Sequence, residues 1–421
     1  MSTARTTLEI TGLAAGGDGI ARTDGLVVFT PRTAPGDTIV AEVTVEGRVG
    51  RGKLERVESA GASRVAPPCG HYVEPDRCGG CQLQQVGIDT QREAKRAMVR
   101  DAFQRIGRRE VPLPEIRSAE AWRYRRALTL AIRRDEDGRG RAGLRAFDDP
   151  EAVFALHDCL ITDERVVDAW RTIIAAVAHL PPEPRLRGTV RWLEGRPLFV
   201  LEGGAEWPAL QQFLEAVPSL AAIWWQADGK RRRLVADRRG DASQIPGAGF
   251  TQVNEEVAAM VCADVVARAL VHAPRTALDL YSGSGETAVL LSAAGVRTVA
   301  VELDEESAAF AATRLAATRL AAHAGSRAIA ARAEDVIARV LPADVVIVNP
   351  PRAGLDAKVT TALRGASPAP RAIIYVSCDP ATLARDVARL AGWRVHALTC
   401  FDMFPQTAHV ETVCELRPEA S

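Results

Sequence analysis

The spacing of apolar positions along this chain changes twice. Up to about residue 60, short apolar-polar alternations (Thr7–Ile10, Gly25–Phe29, Asp37–Val45 and Gly50–Val57) are broken by Gly16-Gly17-Asp18-Gly19, Asp24-Gly25 and Pro35-Gly36-Asp37. Period-two runs between such turn signals predict strands. Several strands in so short a stretch predict a small closed barrel. A Ser/Gly/Ala stretch with Pro67-Pro68 follows and reads as a linker. Gly87–Ile106 has amphipathic helical spacing and stops at Gly107, a helix terminator. Strand-like and helical segments then mix: strands over Ala127–Ile132, Gly143–Phe147, Thr189–Trp192, Leu198–Leu201 and Ala221–Trp225, and helices over Asp163–Ala178 and near Trp207–Val217. This predicts an α+β unit.

From about residue 246 the pattern becomes a regular alternation of strand and helix, which predicts a parallel sheet. The helix Glu255–Val271 precedes five strands, Thr276–Tyr281, Arg297–Glu302, Ala328–Ala331, Asp344–Val348 and Ala372–Val376, and two final ones, Trp393–Leu398 and His409–Leu416. Three domains follow: residues 1–60, 67–245 and 246–421.

Composition narrows the class. The chain has 421 residues, 47% of them hydrophobic, so large cores are possible. Acidic and basic residues balance at 53 each, so net charge selects no partner, and a nucleic-acid surface must come from local clustering. The basic residues are nearly all Arg and Ala is abundant, which is compositional bias for most positions. No secretory segment opens the chain and no apolar run is long enough to span a membrane. The expectation is a cytoplasmic protein with no membrane association. Eight cysteines in a chain of this length do not make a disulfide scaffold; metal or catalytic cysteines fit better.

Two regions carry candidate chemistry. In the first, Cys69, Cys78 and Cys81 fall within thirteen residues, two of them as Cys-x-x-Cys around Gly79-Gly80. That spacing turns two thiolates towards one centre. Cys159 is the candidate fourth ligand; His71 and His157 read as neighbours rather than ligands. Four thiolates suit a four-iron four-sulfur cluster or zinc, and spacing does not choose between them. The second region is the set of strand ends in the last domain, where ligands collect in open α/β sheets. A turn with Gly283 and Gly285 follows the first strand, and glycines there allow close backbone approach to a ligand. Glu302 ends the second strand, where an acid accepts the two ribose hydroxyls. Asn349-Pro350-Pro351-Arg352 ends the fourth. The fifth delivers Cys378 just ahead of a helix N-terminus, a field that favours thiolate. Seven strands with this turn and acid suit a Rossmann-like, S-adenosylmethionine-dependent methyltransferase better than a dehydrogenase, because the third glycine of the dinucleotide fingerprint is missing.

Together these motifs resemble a known family. Phe250-x-Gln252-Val-Asn254, Asp279-Leu-Tyr281-x-Gly283-x-Gly285, Val301-Glu302, Asn349-Pro-Pro-Arg352, Val376-Ser-Cys378-Asp-Pro380 and His409-Val-Glu411 occur in the order seen in RNA uracil-5 methyltransferases. Residues 1–60 resemble the TRAM domain, an oligonucleotide-binding-like barrel, through Gly16–Ala21, Phe29 and Pro35-Gly36-Asp37. The resemblance is greatest to the 23S rRNA members. It implies 5-methyluridine formation in structured RNA, 23S rRNA ahead of tRNA, with no obligate protein partner. It implies Cys378 as nucleophile, Glu411 as general base, and Gln252, Tyr281, Gly283, Gly285, Glu302 and Asn349 around S-adenosylmethionine. It also implies a four-iron four-sulfur cluster on Cys69, Cys78, Cys81 and Cys159 rather than zinc. Arg48, Arg51, Lys53 and Arg56 on the barrel are candidate phosphate contacts, and Trp122–Arg126 is a candidate RNA-stacking stretch. Two departures stand out: eight residues separate Cys69 from Cys78, more than is usual, and Asn349 replaces the usual Asp, removing any charge there. Alternative readings are an amino-group nucleic-acid methyltransferase, suggested by Asn349-Pro-Pro, and a non-catalytic RNA-binding factor.

Overall fold

A computed structural model describes residues 3–23, 25–135, 138–240, 252–318 and 325–419. The first sheet contains β1 (Thr3–Glu9), β2 (Gly12–Leu13), β3 (Gly19–Thr23), β4 (Leu26–Thr30), β5 (Thr38–Glu46) and β6 (Val49–Ser59), in the order β1-β5-β6-β4-β3-β2. Inward alternation puts Leu8, Ala21, Val28, Ile39, Ala41 and Val43 into one small core. The sequence pattern missed β3. It begins at Gly19, where a Cβ would stand 2.0 Å from Thr33 Oγ1, so the residue that reads as a turn is a close crossing inside the sheet. Asp37 closes the same region. Its carboxylate accepts hydrogen bonds from Ala34 N, Gly61 N and Arg64. Burial alone would raise its pKa, but the Arg64 guanidinium and those N–H groups hold it below the usual carboxylate value.

The segment after the linker contributes α1 (Ile88–Arg105) and β7 (Glu115–Arg117). Both fall within the 67–245 stretch, yet they pack elsewhere. Val99 and Phe103 of α1 are buried in the core of the last sheet, and β7 pairs in parallel with that sheet's edge. The second sheet is built from β8 (Ala127–Arg134), β9 (Gly140–Gly143), β10 (Arg185–Leu193), β11 (Arg196–Glu202), β12 (Ala222–Gln226) and β13 (Arg233–Asp237), in the order β13-β12-β11-β10-β8-β9. Helices α2 (Glu164–Ala175) and α3 (Leu210–Ala216) send Trp170 and Phe213 against Phe199 of β11. The strand expected over Gly143–Phe147 lies earlier in the chain. Ala146 instead bridges to Cys78 and Arg145 to Val153; Gly143 passes so close to Phe154 that no Cβ fits, and the chain must leave the sheet there.

The last sheet follows α4 (Glu255–Val271). It comprises β14 (Thr276–Leu280), β15 (Arg297–Glu302), β16 (Arg327–Ala330), β17 (Val345–Val348), β18 (Ala372–Ser377), β19 (Trp393–Phe401) and β20 (Glu411–Pro418). Helices α5 (Glu286–Ala293), α6 (Glu305–Thr318), α7 (Ala333–Val340), α8 (Ala357–Arg364) and α9 (Pro380–Arg389) connect them. The order is β16-β15-β14-β17-β18-β20-β19-β7, with β20 antiparallel to both neighbours. Every residue of β17 and β18 is buried, because helices cover both faces of the sheet. Strand order reverses beside β14, which places the switch-point crevice over the ends of β14 and β17. The expected boundary at 245–246, and Phe250, lie outside the described residues.

Candidate active site

The cofactor lobe is shaped by backbone first. Tyr281, directly after β14, takes a left-handed conformation (φ 61°), and Gly283 and Gly285 follow with φ 54° and 77°. At Gly285 an added Cβ would lie 2.8 Å from Ala311 Cβ, so the turn can pack on α6 only as glycine. At Gly283 an added Cβ would meet no protein atom within 4 Å, so this glycine serves the open side of the turn. Glu302, at the end of β15, is held in place by its own loop: Gly283 N donates to Oε2 at 2.9 Å and Asp304 N to Oε1 at 2.9 Å. Asp304 caps α6 by accepting from Ser307 N, as its position predicts. Two polar atoms beside this turn, Asp279 Oδ2 and Ser282 Oγ, are buried without a hydrogen-bond partner among the described residues. Burial pushes the Asp279 carboxyl up to about 7. A Gly turn open on one side, an oriented acid and orphaned polar atoms suit a polar cofactor carrying a ribose. Asn349 is exposed at the end of β17, its backbone N–H bonded to Leu280 O. Gln252 is half-buried two residues ahead of Asn254, the side-chain cap of α4.

The second lobe lies at the end of β18. Cys378 follows Ser377, and Asp379 caps α9 by accepting from Thr382 N, with Pro380 as the first helical residue. The pairing of β18 with β20 runs from Ile373–Leu416 to Ser377–Thr412. Glu411 thus begins its strand where Cys378 leaves its own. Burial is the largest influence on the Cys378 thiol and raises its pKa; the charge of Glu411 adds to this, and the Arg352 guanidinium opposes it. Burial thus works against the thiolate-favouring field of the helix N-terminus. Glu411 is buried, and burial pushes its carboxyl up to about 8. In the sequence Arg352 is only the last residue of the Asn349-Pro-Pro-Arg352 motif. Its nearness to the thiol is a property of the fold, signalled in the sequence only by a cation after a rigid Pro-Pro.

The β19–β20 connection, which carries the chain into Glu411, is clamped from several sides. Buried Lys95 of α1 donates to Asp402 at 2.5 Å and to Phe404 O at 3.0 Å, and Gln91 bonds Gln406 in both directions. Tyr124 OH donates to Pro405 O and Asn254 Nδ2 to Met403 O. Gln82 and Leu83, directly after Cys81, both donate their N–H to Gln406 O. From the barrel, a Cβ added at Gly17 would lie 2.9 Å from Gln82 Cβ and 3.3 Å from Ala408 Cβ. Lys95 and Asp402 lie 307 positions apart, so no local pattern signals their pairing.

The four cysteines of the first region come together. Cys78, Cys81 and Cys159 are buried and Cys69 is half-buried, all as free thiols. Burial above all, with charge on Cys159 and Cys69 adding to it, pushes Cys78 up to about 11 and Cys81 to about 12. Thr162 Oγ1 donates to Cys159 Sγ at 3.2 Å. His71 is occupied at both nitrogens, by Asp76 through Nδ1 and by the N–H of His157 through Nε2, which keeps it from acting as a ligand. Among the described residues, no three His, Cys, Asp or Glu side chains close around a point as one ion would require. The mutual electrostatic influence of Cys69, Cys78, Cys81 and Cys159 places the four sulfurs near one another.

The doubly covered sheet, its antiparallel seventh strand, the glycine turn and the acid of β15 define an S-adenosylmethionine-dependent methyltransferase. Residues 225–417 match the family model described as tRNA (Uracil-5-)-methyltransferase, and residues 4–54 match the TRAM domain. The 23S rRNA (uracil(1939)-C(5))-methyltransferase RlmD of Halomonas elongata is 32% identical over 98% of this chain and 89% of its own. An uncharacterized RNA methyltransferase of Gloeobacter violaceus is also 32% identical, over 97% and 96%. Among solved structures, the Pyrococcus abyssi tRNA (uracil-54, C5)-methyltransferase with S-adenosyl-L-homocysteine shares the fold at a TM-score of 0.72 and 23% identity, covering 97% of this chain and 99% of that one. This chain belongs to the RNA uracil-5 methyltransferase family and is an S-adenosylmethionine-dependent RNA-modifying enzyme. Among the described residues, no helix is long and apolar enough to cross a membrane.

Proposed function

We infer that the enzyme methylates carbon 5 of a uridine in structured RNA, 23S rRNA rather than tRNA, through a covalent bond to Cys378. The observation that carries the reading is the meeting of Cys378, Glu411 and Arg352 at the end of β18, one strand away from β17 and two from the glycine turn after β14. Carbon 5 of uracil is a weak nucleophile. The Cys378 thiolate, favoured by the Arg352 charge, adds to carbon 6; the carbon 5–carbon 6 π pair moves towards the ring carbonyl and makes carbon 5 nucleophilic. Bound S-adenosylmethionine supplies the electrophilic methyl group. Glu411, facing the thiol, takes the proton from carbon 5; that C–H pair re-forms the double bond and the carbon 6–sulfur bond breaks, returning the thiolate. A carboxylate whose proton affinity is raised by burial is well matched to this removal. The uridine must be unstacked to reach a half-buried thiol, which favours a loop or bulge as substrate.

Gln252, Tyr281, Gly283, Gly285, Glu302 and Asn349 are assigned to the cofactor lobe. Cys69, Cys78, Cys81 and Cys159 are assigned to a four-iron four-sulfur cluster, whose part is to tie the segment after Cys81 to the loop before Glu411. The assigned organisation is a barrel over 1–60, a middle domain over 67–245 whose α1 and β7 dock on the catalytic sheet, and a catalytic domain over 246–421, acting in the cytoplasm. The preference for 23S rRNA rests on likeness to the Halomonas relative. RNA containing 5-fluorouracil tests the chemistry: fluorine cannot leave as a proton, so a stable protein–RNA adduct is expected with cofactor present and none in Cys378→Ala. Absence of adduct on rRNA and tRNA alike would sink the covalent route. Mapping 5-methyluridine in cells with and without the gene identifies the RNA.

A further inference from the structure

The basic run Lys230–Arg233 takes no part in the chemistry above. Residues 230–232 lie in the turn between β12 and β13, and Arg231 reaches the carboxyl end of β15. There Arg231 and the segment Glu302–Glu306 line an open cavity of about 570 Å³, within the range of small-molecule sites. Its walls differ in chemistry. One is Glu302, oriented by the N–H groups of Gly283 and Asp304. The next is Leu303, 58% exposed, an aliphatic surface beside a carboxylate. The last is Arg231. Its neighbour Arg232 pairs with Glu202 at 3.8 Å, and Arg239 after β13 pairs with Asp237 at 2.9 Å. Arg231 makes no hydrogen bond or ion pair with a described residue, although four carboxylates line the same cavity.

A diol-binding acid, an apolar step next to it and a planar cation without a partner match the ribose and the two faces of the base of an adenosine. The ribose hydroxyls go to Glu302, one face of the base lies on Leu303, and a guanidinium covers the other face. An RNA phosphate is the competing occupant of Arg231, but Glu302, Asp304, Glu305 and Glu306 would repel it; a neutral base meets no such penalty. We propose that Arg231 stacks on the adenine of bound S-adenosylmethionine, so that the basic turn of the middle sheet completes the cofactor site. The proposal rests on reading Glu302 as the ribose ligand.

Calorimetric titration of the full chain with S-adenosylhomocysteine, without RNA, tests it. Arg231→Ala is expected to weaken binding about tenfold and Arg231→Lys to recover part of the loss, since stacking favours the planar group. In turnover the loss should appear in the KM for S-adenosylmethionine and not in that for RNA. Glu302→Ala, measured in parallel, tests the underlying reading. Unchanged affinity in Glu302→Ala refutes the ribose assignment. Loss in Glu302→Ala with none in Arg231→Ala refutes the Arg231 proposal alone. A raised KM for RNA with unchanged S-adenosylhomocysteine affinity in Arg231→Ala assigns the residue to phosphate and refutes it equally.

Discussion

Cys378 and Glu411 stand one residue past Ser377 and Thr412, the last paired positions of the antiparallel β18–β20 ladder. Strand register therefore sets a thiol and a carboxyl face to face, although they lie far apart in the sequence. Their fields interact: the Glu411 charge raises the Cys378 pKa.

The proton affinity of Glu411 predicts a pH profile. Its carboxyl must be ionised to act as base and titrates at about 8, and the Cys378 thiol is also raised. The kcat/KM should climb from pH 6 to beyond 8 with no fall-off from these two groups. Glu411→Gln should form methylated adduct and release it about 10²–10⁴-fold more slowly; quench-flow with gel analysis of the adduct checks this, and normal release would remove Glu411 from the role of base.

The same burial has a thermodynamic sign. The folded carboxyl holds its proton from the ordinary 4.5 up to about 8, so its contribution to stability is complete below 4.5 and is lost as pH rises through 8. Glu411→Gln should therefore gain in Tm relative to the parent at pH 8.5 and gain little at pH 5. Calorimetry at the two pH values distinguishes this from a uniform shift.

Arg352 opposes two influences that keep the thiol protonated. Arg352→Met should raise the Cys378 pKa further and slow both its alkylation by iodoacetamide and adduct formation on 5-fluorouracil RNA, while Arg352→Lys restores part of each rate. Equal alkylation of Arg352→Met and parent across pH 6–9 would contradict the assignment.

Lys95 and Asp402 are both fully buried and bonded to each other. Removing the lysine alone leaves the buried Asp402 carboxylate with only Arg92, at 3.3 Å, at a cost of up to about 3–5 kcal/mol. Lys95→Met should show this in urea unfolding, and Lys95→Met combined with Asp402→Leu should recover much of the stability. If the loop positions Glu411, the double variant stays slow in adduct release although it folds.

Much of this was readable in the chain because it is local. The buried runs of β14, β15, β17 and β18, the helix Glu255–Val271 and the stop at Gly107 each depend on a few consecutive residues, and the structure places them within a residue or two. The motif-bearing strand ends were legible for the same reason, since glycines and an acid at a strand end have few other uses. What escaped is non-local. Segment 88–117 lies in the middle of the sequence but packs Val99 and Phe103 under the last sheet, and amphipathic spacing cannot say against which sheet a helix docks. β3 was hidden because Gly19, at the end of the turn made by Gly16 and Gly17, already lies in the strand at a close crossing, and Arg352 acquires its meaning only when two strand ends converge.

The loop over residues 402–408 receives hydrogen bonds from α1, from the segment after Cys81, from Tyr124 and from Asn254, and it packs beneath the barrel turn at Gly17. This arrangement limits the modularity that three separate sheets suggest. Glu411, the proposed base, hangs from a joint to which the barrel, the middle segment and the catalytic domain all contribute. The catalytic sheet expressed alone, even if it folds and takes up S-adenosylmethionine, would stall at the last proton. Recombining it with a foreign RNA-binding half would preserve activity only if that half brought a matching set of anchors.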